Sequence, residues 1–468
     1  MNAIVLLSVL GIITMLSDIL GFKKYILSII LIGLGAALFL TMADWYMPNV
    51  YTGLIYLDDM VFIDGYSTLF TGLILTLVAI WFIISRDQYA PGHEFNASDN
   101  YALILFATVG ALLLTCYMNL SLLFLGIEIL SIPLFILAGS RKHDLASNEA
   151  SLKYFLMGAF ATGIMLFGIT LIYGACGSFD LADISTYVSS NNGNLPVMFY
   201  TGILLIMVGL GFKVSAAPFH FWTPDVYQGA PMFVTAFMAT VVKTAAFAGF
   251  FRLFSTCFST INSNWAMILS IVITLTILVG NFLASYQSSV KRMLAYSGIA
   301  QAGYILLTIL VLNQETKTAL FLYLTSYSLS TLAAFTVLYY VSKTKGDDGF
   351  EAFNSLGKTN PFLAFIMTVA MLSLAGIPPT VGFFAKFNLF AAVLRADANN
   401  IWLVSVAVIG SLISVYYYFK LIINMYGREG QTADIKLNFA YKAILVIMVG
   451  VIVLLGILPG YILDINKF

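Results

Sequence analysis

Lys213, Lys243 and Lys386 stand inside long apolar stretches, in Gly211-Phe212-Lys213-Val214, Val242-Lys243-Thr244 and Ala385-Lys386-Phe387. Glu128, in Leu125-Gly126-Ile127-Glu128-Ile129-Leu130, reads as a buried carboxylate of the same kind. A lysine at the centre of a membrane helix costs roughly 2.5–3.5 kcal/mol on insertion scales, so chains keep one where it faces a cavity, a partner charge or a pathway. The chemistry open to one acid and several amines in such a setting is proton transfer. Two readings compete for each lysine: an anchor snorkelling to the interface, or a proton carrier. Many apolar neighbours on both sides favour the carrier for Lys213, Lys243 and Lys386. The readings stay balanced for Lys153, beside the polar 141–149 loop, and for Lys420. Glu128 is either a structural hydrogen bonder or a working acid, and its mid-segment place with no other acid favours work. His220 either caps a broken helix or passes protons, since its reference pKa of about 6.5 lets it switch near neutrality.

The composition sets the medium in which these groups sit. The chain is 60% hydrophobic and 9% charged, against about 25% charged in soluble domains. This is the composition of an integral membrane protein. The net charge is zero, which leaves no nucleic-acid footprint. Cys116, Cys176 and Cys257 are isolated, so the sequence offers no ligand set for an iron–sulfur cluster or zinc ribbon. His93 and His143 fall in polar loops and only His220 lies at an apolar segment, so a two-histidine haem site within the bilayer is excluded. Neither a dinucleotide fingerprint nor a P-loop is present. Any redox chemistry then belongs to partners.

A spanning helix needs about 20 apolar residues. That rule predicts about fourteen segments: 3–21, 25–43, 65–84, 101–117, 120–138, 151–175, 197–220, 231–255, 264–285, 291–312, 317–342, 361–394, 401–426 and 442–463. Residues 1–20 lack a basic start and a small-residue cleavage site, and Lys23-Lys24 follows, so they read as a retained first helix. Lysine and arginine counts set the orientation. Thirteen basic residues fall in odd-numbered loops, among them Lys23, Arg141, Lys291, Arg292 and Lys343; four fall in even-numbered loops or the tail, namely Arg252, Lys317, Arg395 and Lys467. Odd loops are therefore expected inside and both termini outside, as is the acidic 44–64 loop. Lys291 and Arg292 read as topology charges, and Asp225 as loop structure beside Pro224. Ser297, Gln301 and Tyr304 either hydrogen-bond water or tie helix to helix. The tyrosines and phenylalanines read as lipid-facing and packing residues and imply no quinone site.

Two segments are interrupted by proline. Segment seven runs into Ala216-Ala217-Pro218-Phe219-His220-Phe221-Trp222-Thr223-Pro224-Asp225, and segment twelve contains Gly376-Ile377-Pro378-Pro379 ahead of Lys386. Proline removes a backbone donor and clashes one turn back, so both helices should break. In a bilayer, broken backbone survives only where protein or a water-filled cavity surrounds it. Five segments separate the breaks, which makes segments 4–8 and 9–13 corresponding halves, and an odd repeat length inverts the second. Paired breaks in inverted repeats point to a transport pathway. The expected organisation is all-α: residues 1–100 with helices 1–3, residues 101–255 as the first five-helix repeat, 256–430 as the second, and 431–468 with helix 14. Lys213 precedes its prolines whereas Lys386 follows its own.

The run from Gly211 through Lys213, Pro218, His220, Trp222 and Pro224 to Pro231 resembles the signature of antiporter-like subunits of respiratory complex I. The run Leu372–Phe387 and the run Ser289–Ser297 resemble the subunit N family of bacterial NADH–quinone oxidoreductases in particular. The resemblance covers essentially the whole chain. The length near 470 argues against the longer L-type subunits, and lysine at 386, where M-type subunits carry glutamate, argues against that relative. The resemblance implies that Glu128 and Lys213 form a switchable ion pair, that Lys243 sits on a central hydrophilic axis, and that Lys386 is the exit-side lysine of the second half-channel. It assigns Lys153 and His220 to proton supply or lateral transfer. Gln301 departs from the family, where histidine often stands; glutamine does not titrate, so a relay there uses water or that arm is unused.

On this reading, Lys213 holds its proton while Glu128 is near. It releases it, through water to Lys243 and on to Lys386, when Glu128 is drawn to a neighbouring subunit's charge. The implied role is a translocase subunit of the bacterial inner membrane without a redox centre of its own. NADH, FMN, iron–sulfur clusters and quinone are held by partner subunits, and the membrane neighbours are an M-type antiporter-like subunit and small K/J-type subunits. The alternatives are a subunit of a multisubunit Na+/H+ antiporter, or a structural spacer with a dead channel.

Overall fold

The computed structural model describes residues 2–46, 60–89, 97–191, 194–430 and 435–460. Among them every regular element is helical, and β-pairing is confined to isolated bridges such as Val61 with Tyr117 and Ser289 with Gly349. Hydrocarbon offers no partner for backbone N–H and C=O groups, and a helix satisfies them within its own segment. In chain order the helices are α1 (Asn2–Leu16), α2 (Ile26–Tyr46), α3 (Gly65–Ser85), α4 (Ala97–Cys116), α5 (Leu120–Ala138), α6 (Leu145–Cys176), α7 (Leu181–Ser190), α8 (Val197–Val214) and α9 (Trp222–Gly229). There follow α10 (Met232–Phe237), a π-helical turn at Met238–Val242, α11 (Lys243–Cys257), α12 (Asn262–Ser285), α13 (Val290–Val311) and α14 (Gln314–Lys345). The last are α15 (Leu356–Thr359), α16 (Pro361–Ala375), α17 (Val381–Ala396), α18 (Ile401–Gly427) and α19 (Phe439–Ile457).

Twelve helices among the described residues are long and apolar enough to cross a membrane. The first and twelfth expected segments are the ones that fall short. α1 has 15 residues and stops at Leu16. The twelfth segment is two helices, α16 and α17, with 15 and 16 residues. The seventh segment ends at Val214 rather than 220, because the chain turns left-handed at Ser215 (φ 66°). The short α7 was not expected. Its Asp180 caps the first turn and only Leu181, Ile184 and Val188 are buried, a single narrow stripe. His93 and the acidic stretch between Met47 and Asp59 lie outside the described residues.

Two compact units divide the described chain. One runs to Val214 and adds Gly229–Ala266; the other joins Ser215–Gln228 to the chain from Met267 onward. In the first unit α4 packs on α5 and α1, and α6 packs on α8 and α5. Glycines permit the closest approaches. A Cβ on Gly110 of α4 would lie 2.3 Å from the Leu130 nitrogen of α5. Arg252 was expected in a loop but is buried on α11, with its guanidinium 2.6 Å from Asp64 Oδ1 and 5.2 Å from the Tyr66 ring. Asp64 also caps α3 through a capping box with Ser67. The Tyr66 and Tyr117 hydroxyls donate to the Ala248 and Gly249 carbonyls, so α3 and the residue that follows α4 grip α11 in the two turns that follow Lys243.

In the second unit α14 packs on α16, α17, α13 and α19, and α16 packs on α18. The break between α16 and α17 sits among these helices. Gly376 (φ 81°) ends α16 in a left-handed turn, with its N–H on the Leu372 and Ser373 carbonyls and the Ile377 N–H on Leu372. Gly382, at the start of α17, lies so near the Ser373 carbonyl that a Cβ would stand 1.8 Å from it.

Gly110→Ala should therefore force α4 and α5 apart and cost about 1–3 kcal/mol, the usual penalty for overpacking. Gly126→Ala should cost less, because its Cβ would meet leucine side chains at 3.1 Å or more rather than backbone. Thermal unfolding in detergent checks the order; equal midpoints for the two variants would contradict the packing described.

Candidate functional site

Lys213 lies in the last turn of α8 and is 3% exposed. Its Nζ donates to Ser131 Oγ of α5 at 2.6 Å, and the Ser131 hydroxyl donates in turn to the Ile127 carbonyl. The ammonium also lies 5.6 Å and 5.7 Å from the Phe135 and Phe212 ring centroids, within cation–π range. Pro133 inside α5 has no N–H for the Ile129 carbonyl, which loosens that helix beside Ser131. Glu128 stands one turn before Ser131 on α5. Among the described residues no ion pair within 4.0 Å joins Glu128 to Lys213. The expected buried carboxylate is in fact half-exposed: Glu128 lies on the face of α5 that also presents Leu125 (48% exposed) and Ile132 (51%). The structure thus seats the amine of α8 on a serine one turn from the acid of α5 but leaves the pair open.

Lys243, 1% exposed, follows the π-helical turn at Met238–Val242 in the same unit. Such turns interrupt the regular ladder and recur at functional sites. α11 packs on α8, α4 and α3. Lys153 is at the surface, paired with Glu149 at 2.7 Å one turn earlier. His220 is buried in the turn before α9, its ring 4.5 Å from that of Phe221, and its Nδ1 makes no hydrogen bond within the chain.

Lys386 of α17, in the second unit, is 5% exposed. Its Nζ donates to the Leu374 carbonyl at 3.1 Å, the Ala375 carbonyl at 3.0 Å and Ser411 Oγ at 3.2 Å, and lies 5.0 Å from the Tyr304 ring. An ammonium has three donors, and all three are used. Leu374 and Ala375 end α16, where carbonyls lose their helical partners and the helix dipole is negative. The break at Gly376 therefore makes the acceptors on which Lys386 rests. Around it, Gln301 Nε2 donates to Leu374 O at 3.0 Å, Tyr323 donates to Gln301 Oε1 at 2.5 Å, and Ser297 and Tyr418 hydroxyls meet at 2.5 Å. Ser297, Gln301 and Tyr304, left between two readings by the sequence, tie helix to helix: Tyr304 takes a hydrogen bond from Asn281 of α12.

The family described as NADH:quinone oxidoreductase/Mrp antiporter, TM matches residues 117–414. The NADH-quinone oxidoreductase subunit N of Cytophaga hutchinsonii is 50% identical over 468 residues, covering 100% of this chain and 99% of the relative. The chain belongs to the subunit N family of NADH-quinone oxidoreductases. A chain of respiratory complex I from Thermus thermophilus, solved with bound aureothin, matches at 34% identity and TM-score 0.82, covering 99% of this chain and 98% of that one. A chain of the Mrp complex from Dietzia sp. DQ12-45-1b matches at 20% identity and TM-score 0.84, covering 100% and 96%, a likeness of fold.

The structure also gives contacts to residues that sequence reasoning set aside. Arg292 and Lys291, read as topology charges, both hold the segment between α8 and the end of α9. Arg292 pairs with Asp225 at 2.9 Å and donates to Gln228 Oε1 at 2.8 Å; Lys291, 4% exposed, donates to the Gln228 carbonyl at 2.9 Å. Asp225 is thus a helical residue with a cationic partner rather than loop structure. The Ala217 N–H adds a bond to Thr276 Oγ1 of α12. The one cue available was the pairing of opposite charges, but 67 residues separate Arg292 from Asp225.

Gly376→Ala tests the seat of Lys386. A left-handed turn disfavours any Cβ by roughly 1–2 kcal/mol, and this one would lie 2.8 Å from Lys386 Cδ. We expect a lowered unfolding temperature and proton translocation reduced several-fold in assembled complexes. Gly346→Ala, also left-handed but with nothing within 4 Å of its Cβ, should lower the unfolding temperature alone. Equal translocation in the two variants would contradict the seat.

Proposed function

We propose that this chain is a proton-translocating membrane-arm subunit of a bacterial NADH–quinone oxidoreductase, and that Glu128, Lys213, Lys243 and Lys386 carry the protons, with Lys153 and His220 as further relay groups. The single observation that supports this best is the Lys386 seat. A membrane-buried amine has all three donors engaged by the carbonyls of a broken helix and a serine, in a chain 50% identical to a curated subunit N over its whole length. Unlike an anchor, which reaches the interface, Lys386 is enclosed.

The chain's own groups account for the steps. Lys213 shares a helix partner with Glu128, since Ser131 and Glu128 are one turn apart on α5. Glu128 faces outward, where a neighbouring subunit's charge can draw it. With the acid near, the proton stays on Lys213; with the acid withdrawn, it passes through water towards Lys243 and then Lys386. The pathway reads best as fourteen crossings with inverted repeats at 101–255 and 256–430, flanked by 1–100 and 431–468, and with both termini on the periplasmic side. Left-handed turns at Ser215 and Gly376 open the two breaks, a parallel that supports the repeat. NADH, FMN, iron–sulfur clusters and quinone fall to partner subunits, and the membrane neighbours are an M-type antiporter-like subunit and small K/J-type subunits. The Na+/H+ antiporter alternative has the shared family description and the likeness of fold in its favour, and the 50% identity to a subunit N over the whole chain favours the main reading.

Lys213→Ala should lower proton translocation by the assembled complex at least about tenfold, the scale of losing one obligatory carrier. Assembly is checked by co-purification of the NADH-oxidising subunits, and translocation by a fluorescent pH probe in sealed vesicles. A correctly assembled variant that pumps at the wild-type rate would remove Lys213 from the pathway.

A further inference from the structure

We propose that Gln301 is a positioning residue for Lys386: it holds the Leu374 carbonyl so that the amine's seat stays intact whether or not Lys386 carries its proton. The inference rests on the reading of Lys386 as a carrier. Gln301 is 2% exposed on α13. A carbonyl oxygen has two lone pairs, and Leu374 O fills both, with Lys386 Nζ at 3.1 Å and Gln301 Nε2 at 3.0 Å. Because a carbonyl only accepts, the Gln301 amide is oriented with its nitrogen towards Leu374. Its other contacts agree with that orientation: Oε1 accepts from Tyr323 of α14 at 2.5 Å, and Nε2 reaches the Tyr418 hydroxyl of α18 at 3.3 Å. Three helices thus fix one amide against the free end of a fourth, α16.

The consequence concerns the deprotonated state. An amine that has lost its proton has two donors for three acceptors, so one acceptor is released. A buried carbonyl left without a donor costs the full desolvation of that group. Leu374 O keeps the neutral N–H of Gln301 through that change, and the Ser411 hydroxyl lies 3.5 Å from Ala375 O in the corresponding place. Each carbonyl of the seat therefore has a second, non-titrating donor. A neutral amide suits this task because it competes for no proton.

The test uses the assembled complex in sealed vesicles, with proton translocation measured per complex between about pH 6 and 9. Gln301→Met keeps the length and removes every polar contact. It should lower translocation roughly three- to tenfold, the fold-change that a lost buried hydrogen bond corresponds to. Gln301→Glu separates positioning from packing. While its carboxyl is protonated, the O–H can donate to Leu374 O and translocation should approach wild type. Once ionised, it repels that carbonyl and pairs with Lys386, so translocation should fall as pH rises. The other titratable groups around the site are Lys386, Tyr304, Tyr323, Tyr327, Tyr417 and Tyr418; phenols titrate near 10 in water, so a new fall between these limits belongs to the introduced acid. Wild-type rate and profile in Gln301→Met, or a Gln301→Glu profile parallel to wild type, would overturn the inference, and if Gln301→Met fails to assemble the Gln301→Glu profile decides alone. Lys386→Ala is run beside them: unimpaired pumping there would remove the carrier reading itself, whereas lost pumping there with normal Gln301 variants would remove only this inference.

Discussion

A lysine buried in hydrocarbon must find acceptors, and the break between α16 and α17 is what supplies them. The end of any helix leaves carbonyls unpaired. In water these are solvated; in a membrane they need a donor. Here Gly376 ends α16, the chain returns as α17, and Lys386 comes back to the carbonyls of Leu374 and Ala375. Each partner removes the other's cost. The proline-rich break is thus an acceptor set for a cation, and the glycines that bring α17 close to α16 keep that set within reach.

Lys213 meets the same constraint differently. It sits at the end of its own helix and turns to a hydroxyl on α5, so its seat depends on a neighbouring helix that a proline has loosened and that carries an acid on its outer face. An amine held by one hydroxyl and two ring faces is more easily disturbed than one held by two carbonyls and a hydroxyl. This difference suits the proposed roles of Lys213 as an entry that responds to a neighbour and of Lys386 as a later carrier.

Much of this was legible in the residues, because charge inside an apolar run and proline inside a helix are local signals. Glu128, Lys213, Lys243 and Lys386 were singled out by type and surroundings, and both breaks by Pro218 and Pro378-Pro379. Local signals do not carry direction or distance. The half-exposed face of Glu128 depends on which side of α5 its neighbours cover. The Asp64–Arg252 pair closes over 188 residues, and the role of Arg292 appears only when Asp225 is folded beside it. Gln301 was visible as a polar residue that cannot titrate; its hold on Leu374 was not, because a backbone carbonyl leaves no mark in a sequence. The amphipathic α7 was too short and too polar for a rule built on 20-residue apolar windows.

The measurement that bears most directly on the whole account is NADH–quinone reductase activity in the assembly that forms around this chain, purified by a tag on it in mild detergent. The account predicts that the activity co-migrates with the chain through size separation. A stable assembly that contains the chain, lacks the activity and instead exchanges sodium for protons would contradict it.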